Sequence, residues 1–477
     1  MSVGSVLGDL AWRTFAFCFG IFNFIAMAFV AGTRDDAFSD RTHDHEKMEL
    51  ADAQEKYWDL QLSPFAGFKH KFFTTRNGVK LHYVTNAKEG TKSGKIAIFI
   101  HGFPDSYVLW RSILGSPALS AHTLIAVDLP GFGGSDSLPV YDPENVLESL
   151  AGFILGIREQ YLQEGGKVVM VTHDWGGIVG GRLASEAKEL ADRWIIIGAV
   201  LIPQLQSNAN THIASAKQML HTWIKWPFNP RLFKAALKTM SPVFGQIGKS
   251  FYIFILQLPF PLAHRFTTMG NFWFLRVLHM VQAKVITKKG KSKKLLSWAQ
   301  KADWMAISSG PGAGQFPKTT SAKEGYSESV RNRVKDFGMS QKIRLYRDGL
   351  FSGTWEKSLE TVVALSEIPS TRSGSGAGLF EDGPPGSLRV PATIIYGKND
   401  MAFESRLCLD SIGDYLVKGS QVFVANECGH WMPHEEEGVY IIEAVTAWAL
   451  QEGDEKDEGL RKRVERLGED VRWVVEK

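Results

Sequence analysis

The sequence predicts an α/β fold: a mostly parallel sheet covered by helices, with a helical cap inserted between strands and an apolar helix at the N-terminus. Three observations predict it. Apolar runs of strand length recur along the chain, too continuous for a half-exposed sheet. Helical stretches separate them, as parallel strands require. One long interval, residues 204–355, is rich in helical and aromatic segments and contains no convincing strand.

The gross composition is that of an ordinary globular core, with 44% apolar and 22% charged residues in 477. A net charge of +3 is too small to argue for a nucleic-acid partner, and none is expected. Three cysteines, Cys18, Cys408 and Cys428, make neither a disulfide framework nor a metal-ligand cluster. No cofactor and no metal are expected.

Residues 1–33 are the first element. Thr14 to Thr33 are 20 residues without a charge, and a helix of that length spans roughly 30 Å, the thickness of a bilayer's hydrocarbon. The apolar stretch is longer than a signal peptide's, which has about 7–15 residues. It reads as a retained single-pass anchor, separate from the catalytic body and without a part in catalysis. Asp9, Arg13, Arg34, Asp35 and Asp36 nearly balance, so the flanking charges do not fix its orientation. Residues 34–66 are polar and read as a linker holding a short helix.

The core begins at 67. KFFTTRNGVKLHYVT is two β-rich runs joined by Asn77-Gly78, a hairpin signal. KIAIFIHGF (95–103), TLIAVDLPG (123–131), KVVMVTHDW (167–175) and WIIIGAVLIP (194–203) complete a first core part, 67–203. After the cap at 204–355, PATIIYGKND (391–400) and QVFVANECGH (421–430) belong to a second part, 356–450. Residues 370–386 are Gly/Ser/Pro-rich and read as a loop. KVITKKGKSKK (284–294) carries six lysines and reads as a solvated loop, with attraction to anionic headgroups as the alternative. In 451–477, apolar residues at 460, 464, 467, 471 and 474 predict one charged, amphipathic C-terminal helix.

The chemistry sits at strand ends. In VVMVTHDWGG a strand meets a sharp corner and then a Gly-rich helix, the form of a nucleophile elbow, yet the residue at the corner is Asp174 and not Ser. Asp400 ends YGKND and His430 ends NECGH. Each lies at the carboxyl end of a predicted strand, and in a parallel sheet those ends share the ligand-binding edge. HGFP (101–104) follows another strand, and its turn exposes backbone N–H groups; Phe103 and Trp175 are the candidate oxyanion donors. His101 is expected to shape that turn, and the glycine loop VDLPGFGGSD lacks the spacing of a phosphate cradle.

These motifs, HGFP, HDWGG, the Asp400 strand end and GHW (429–431), together resemble the α/β-hydrolase-fold epoxide hydrolases over about residues 70–450. The order nucleophile, acid, histidine is that of the α/β-hydrolase fold. In the cap, YIFILQLP (252–259) and RLYRDG (344–349) are similar to the family's two tyrosine segments, which makes Tyr252 and Tyr346 the implied proton donors. Tyr326 has no matching context. Thr172 departs from the Gly often found before the nucleophile, and the loop before Val390 is an addition.

What the resemblance implies is chemically coherent. An epoxide offers no carbonyl to a serine alkoxide, whereas an ionised carboxylate opens the strained ring directly and forms an ester. Tyr252 and Tyr346 would then protonate the ring oxygen, and His430, oriented by Asp400, would activate water against the ester. The expected partners are a small lipophilic epoxide and water, with membrane lipid at the N-terminal helix; the oligomeric state is not legible. Haloalkane dehalogenase is the alternative reading, although its relatives typically carry Asn at Phe103. A non-catalytic binding protein on the same fold is the second alternative. The lack of a disulfide framework and of an N-x-S/T sequence implies a cytosol-facing domain, and the membrane-bound relatives of the family imply the endoplasmic reticulum.

Overall fold

The computed structural model describes residues 3–33, 44–284, 286–287, 290–291, 296–316, 325–369, 383–451, 459–468 and 470–477. The lysine-rich segment lies largely outside these residues, as do 370–382 of the Gly/Ser/Pro-rich loop and 34–43 of the linker.

The Asn77-Gly78 turn joins β1 (Lys69–Thr74) to β2 (Lys80–Thr85), paired antiparallel, with Gly78 at φ +83°. The continuous apolar runs become β3 (Ser93–Ile100), β4 (Thr123–Val127), β5 (Leu162–His173) and β6 (Arg193–Ile197). Two residues each form β7 (Ile286–Thr287) and β8 (Gly290–Lys291), a small hairpin inside an interval expected to lack strands. Then follow β9 (Ala392–Gly397), β10 (Gln421–Ala425) and β11 (Val471–Glu476). The main sheet runs β1-β2-β4-β3-β5-β6-β9-β10-β11, and its six central strands are parallel.

Alternation along each strand feeds two cores. Ile96, Ile98 and Ile100 of β3 point to one face, with Leu147, Leu150 and Ile154 of the helix Pro143–Tyr161. Ala97 and Phe99 point to the other, where Ile441, Ile442 and Val445 of the helix Glu436–Gln451 lie. Burial on both faces is why these strands read as unbroken apolar runs.

Between β6 and β9 the chain leaves the sheet and builds the cap. Its main helices are Ile202–Lys225, Pro230–Lys249, Phe251–Leu256, Phe260–Gln282 and Trp298–Ser309. Phe260–Gln282 is kinked, because Met269 to Phe272 leave helical geometry.

Three expectations require correction. The C-terminal segment is not one helix: Leu460–Arg466 is helical, Gly468 turns the chain at φ +72°, and β11 pairs antiparallel with β10. Val471, Val474 and Val475 favour a strand, the open edge of β10 offers unpaired backbone groups, and Trp473 packs on Phe423 with ring centroids 4.8 Å apart. The 34–66 region is not merely a linker. Asp44–Trp58 is a helix docked on the cap, with Trp58 fully buried and its Nε1 donating to the Ala306 carbonyl at 2.9 Å.

The third correction concerns the N-terminal helix, Val3–Gly32, which does not stand apart from the fold. Within it, Gly8–Gly32 is long and apolar enough to cross a membrane. It lies along the cap: Trp12, Phe15 and Phe19 place their rings 6.1, 6.2 and 5.0 Å from Phe254. Phe24 meets Phe266 at 6.5 Å, and Ala31 is fully buried. Gly20 allows the approach, since a Cβ there would fall 2.6 Å from the Phe254 carbonyl oxygen.

Candidate active site

Adjacency of β3 and β5 brings two strand-end turns together. Asp174 stands between β5 and the helix Trp175–Glu186 at φ 53°, ψ −119°, a conformation that L-residues rarely adopt. Glycines make the corner possible. A Cβ at Gly102 would lie 2.3 Å from Asp174 Oδ1, and one at Gly176 would lie 2.4 Å from the His101 carbonyl oxygen. Thr172 fits with its Oγ1 donating to the Ile195 carbonyl at 3.0 Å and Gly180 leaving room beside it.

The Phe103 N–H donates to Asp174 Oδ1 at 2.7 Å. The Trp175 nitrogen and Asp174 Oδ1 both border the position a Gly102 Cβ would take, at 2.7 and 2.3 Å. Trp175 is also the first residue of its helix, whose N-terminal dipole favours negative charge at Asp174. His101 is fully buried; its Nδ1–H donates to the Gly102 carbonyl and its Nε2 accepts from the Leu129 N–H. It holds the turn. Burial lowers its pKa to about 4. The glycine loop after β4 turns its donors inward: the Gly134 N–H bonds Asp128 Oδ2 at 2.8 Å.

β9 and β10 pair in register, Gly397 opposite Ala425, so the turns that follow them meet as well. His430 Nδ1 donates to Asp400 Oδ2 at 2.8 Å, and its Nε2 faces Asp174 Oδ2 at 3.5 Å. Burial disfavours the His430 cation, but Asp400 and Asp174 outweigh it and raise the pKa to about 10. Asp400 is itself buried, which opposes ionisation; the His430 cation more than offsets this and holds its pKa below the usual value.

Tyr252 and Tyr346 roof the same cavity of about 140 Å³ that Asp174 and His430 floor. Their ring centroids are 6.0 Å apart. Burial, reinforced by the negative charge of Asp174, raises both phenol pKa values, so both hydroxyls keep their protons. The roof is stitched together. Arg347 donates to the carbonyls of Leu256 and Leu258, and Gln257 donates to the Tyr346 carbonyl. Tyr326 lies elsewhere, donating to the Trp58 carbonyl at 2.8 Å.

Two residues escaped the reading of the sequence. Asp105, buried just past the HGFP turn, accepts from Gln282 Nε2 at 3.0 Å and Trp431 Nε1 at 3.1 Å. It ties the end of a cap helix to the loop that carries His430. Burial raises its pKa to about 7, with Asp174 acting in the same direction and its two donors opposing. Its place after HGFP was the available signal. Lys249 lines the cavity and donates to the Asp400 carbonyl at 3.3 Å, with no motif to announce it.

The chain is similar to several known proteins. The chain is 25% identical over 219 residues to Epoxide hydrolase 3 of Mus musculus, covering 44% of this chain and 48% of that protein. It is 31% identical over 142 residues to Epoxide hydrolase 3 of Xenopus tropicalis (29% and 36% covered), and 35% identical over 136 residues to a haloalkane dehalogenase of Sphingobium indicum (28% and 44%). The chain thus spans between about a third and a half of these curated relatives. Among solved structures, Epoxide Hydrolase A from Mycobacterium thermoresistibile matches with a TM-score of 0.46 at 16% identity, covering 81% of this chain and 98% of that one. The Alpha/beta hydrolase family model matches residues 97–444, well over half of the sequence and all of the strand ends just described. With that match, a parallel sheet and an elbow at its centre, the chain belongs to the alpha/beta hydrolase family.

Proposed function

We propose that the protein is an epoxide hydrolase that converts a lipophilic epoxide to a vicinal diol, with Asp174 as nucleophile, His430 and Asp400 as base and acid, and Tyr252 and Tyr346 as proton donors. The observation that carries this reading is the placement of one carboxylate between three kinds of partner. Its Oδ1 takes the Phe103 N–H, its Oδ2 faces His430, and two protonated phenols overhang it.

Asp174 Oδ2 attacks a ring carbon and the C–O bond breaks; the departing oxygen takes a proton from Tyr252 or Tyr346. Ester formation removes the charge on Asp174, one of the two anions that hold the proton on His430. That proton then becomes available to the tyrosinate, and neutral His430 can act as base. It takes a proton from water, whose oxygen attacks the ester carbonyl. The resulting oxyanion forms on Oδ1, beside the Phe103 and Trp175 N–H groups. Its collapse releases the diol and restores the carboxylate.

Haloalkane dehalogenase shares the attack and the hydrolysis, and a binding module would share neither. A halide leaves without a proton, so a roof of two phenols favours the epoxide. The aromatic and aliphatic lining from Phe251, Phe274, Leu278 and Val281 favours a lipophilic substrate. The N-terminal helix supports attachment to a membrane; the endoplasmic reticulum and a cytosolic catalytic domain are what the resemblance to membrane-bound epoxide hydrolases implies. Diol formation from lipophilic epoxides, with halide release from haloalkanes measured in parallel, separates the three readings. Asp174→Ala must abolish turnover with the fold intact; normal epoxide opening by the folded variant would refute the assignment.

A further inference from the structure

From Ile202 to Ala302 the chain contains 15 lysines and arginines and not one aspartate or glutamate. Taking those 15 from the total of 54 leaves 39 cations against 51 carboxylates elsewhere, so the near-neutral chain hides a strongly basic cap on an acidic body. The first part of that stretch is a helical hairpin, Ile202–Lys225 and Pro230–Lys249, held together by contacts such as Trp223 on Phe233 at 5.0 Å. Its outer surface is apolar as well as basic. At the tip, Phe228 is 97% exposed, Trp226 72% and Ile224 68%, and Leu237 and Phe244 are exposed along the second helix. Lys217, Lys225, Arg231, Lys234 and Lys238 stand exposed among them.

We infer that this hairpin is a second membrane-contact element, inserting its Trp226–Phe228 tip among lipid acyl chains while its cations bind anionic headgroups. Exposed large apolar side chains beside lysines, with carboxylates excluded, are the composition of a surface that lies in a lipid interface. Nucleic acid would satisfy the cations but leave Ile224, Leu237 and Phe244 in water. A second copy of the same face would set cation against cation.

Continuity supports the lipid. The hairpin runs through Ser250 directly into Phe251–Leu256, the helix on which the N-terminal helix packs. Phe22, Ile25 and Phe29 of that N-terminal helix are exposed on its outer side. Because the helix follows the cap from Trp12 to Ala31, lipid that meets it also meets the neighbouring cap surface. Lys249 and Phe251, at the base of the hairpin, line the cavity, so a lipophilic substrate dissolved in the bilayer would have the shorter route.

The inference rests on the proposed membrane attachment, and the test separates the two. The full chain with Cys18→Ser and Phe228→Cys carries a nitroxide at position 228 and is mixed with phosphatidylcholine vesicles with or without phosphatidylserine. The expected result is co-flotation with the vesicles and, on the anionic ones, a label open to oxygen and shielded from an aqueous relaxation agent. Reversing Lys225, Lys234 and Lys238 to Glu in the same chain should lower the docking equilibrium at least about 100-fold, from about fivefold per cation beside an anionic leaflet. A chain that co-floats with its label in water overturns the hairpin inference and leaves the anchor standing. A chain that does not co-float refutes the attachment itself. Shielding produced by added RNA, or by raised protein concentration without lipid, overturns the inference in favour of those partners.

Discussion

Gly20→Ala should slow the opening of the epoxide although position 20 lies outside the cavity. The new Cβ would sit 2.6 Å from the Phe254 carbonyl oxygen and 3.0 Å from Leu258 Cδ2, whereas ordinary contact begins at 3.4 Å. Closing the shortfall requires the two helices to part by about 0.8 Å. Phe254 is two residues from Tyr252 on a helix of six residues, too short to absorb the shift along its length. A displacement near 1 Å of a positioned group costs roughly 10²-fold in rate, so a loss of about 10- to 100-fold is expected in ring opening. Alanine favours a helix over glycine by about 1 kcal/mol, so the N-terminal helix itself should gain stability as activity falls. The assay is the time course of Asp174 alkylation, read as intact-protein mass in a His430→Gln background where the ester cannot be hydrolysed. An unchanged alkylation rate would refute the claim that the N-terminal helix positions Tyr252.

His430→Gln alone should accumulate the alkylated enzyme, since attack needs only Asp174; an unmodified mass with demonstrated substrate binding would contradict the two-step scheme. Tyr252→Phe or Tyr346→Phe should each slow alkylation roughly 10-fold, and the pair by at least about 10²-fold, the range general acids supply; undiminished alkylation in the double variant would remove both from the mechanism. Asp174→Asn deletes one of the two anions facing His430, so its imidazole pKa, followed by NMR, should drop from about 10 toward the ordinary 6.5. Because the folded chain binds that proton more tightly than the unfolded one, the stability it contributes is full below about 6.5 and is lost as pH rises through about 10. Denaturation midpoints across that window should fall in the parent and much less in Asp174→Asn.

The parallel sheet was legible because strands buried on both faces must be apolar throughout, as Ile96 to Ile100 are. The strand-end residues were legible because chain order and adjacency in a parallel sheet are nearly the same information. Tyr252 and Tyr346 were another matter. Nothing in periodicity separates a roof tyrosine from Tyr326, which is just as aromatic and caps Trp58; only the resemblance singled them out. The C-terminal segment misled because a 4-3-4-3 spacing over about four turns says nothing about an open strand edge supplied by residues 50 positions away. The docking of the N-terminal helix was hidden for a similar reason: Gly20 and Phe254 are 234 positions apart, and a glycine in an apolar helix signals close approach without naming the neighbour. The hairpin's charge was in the sequence all along, masked by averaging over the whole chain.

The backbone of Asp174 sets activity against stability. At φ 53°, ψ −119° the position suits glycine, and holding a side chain there costs of order 1–3 kcal/mol. Above about pH 10, where the ion pair with His430 no longer contributes, Asp174→Gly should therefore give a protein that is inert yet harder to unfold, provided the lost bond to the Phe103 N–H is replaced by water. Near neutral pH, selection for turnover and the ion pair with His430 together hold the carboxylate in place. A descendant of this chain that had lost both that selection and His430 would relax at the elbow, so glycine at position 174 beside a replaced His430 would mark a lineage that kept the fold and gave up the reaction.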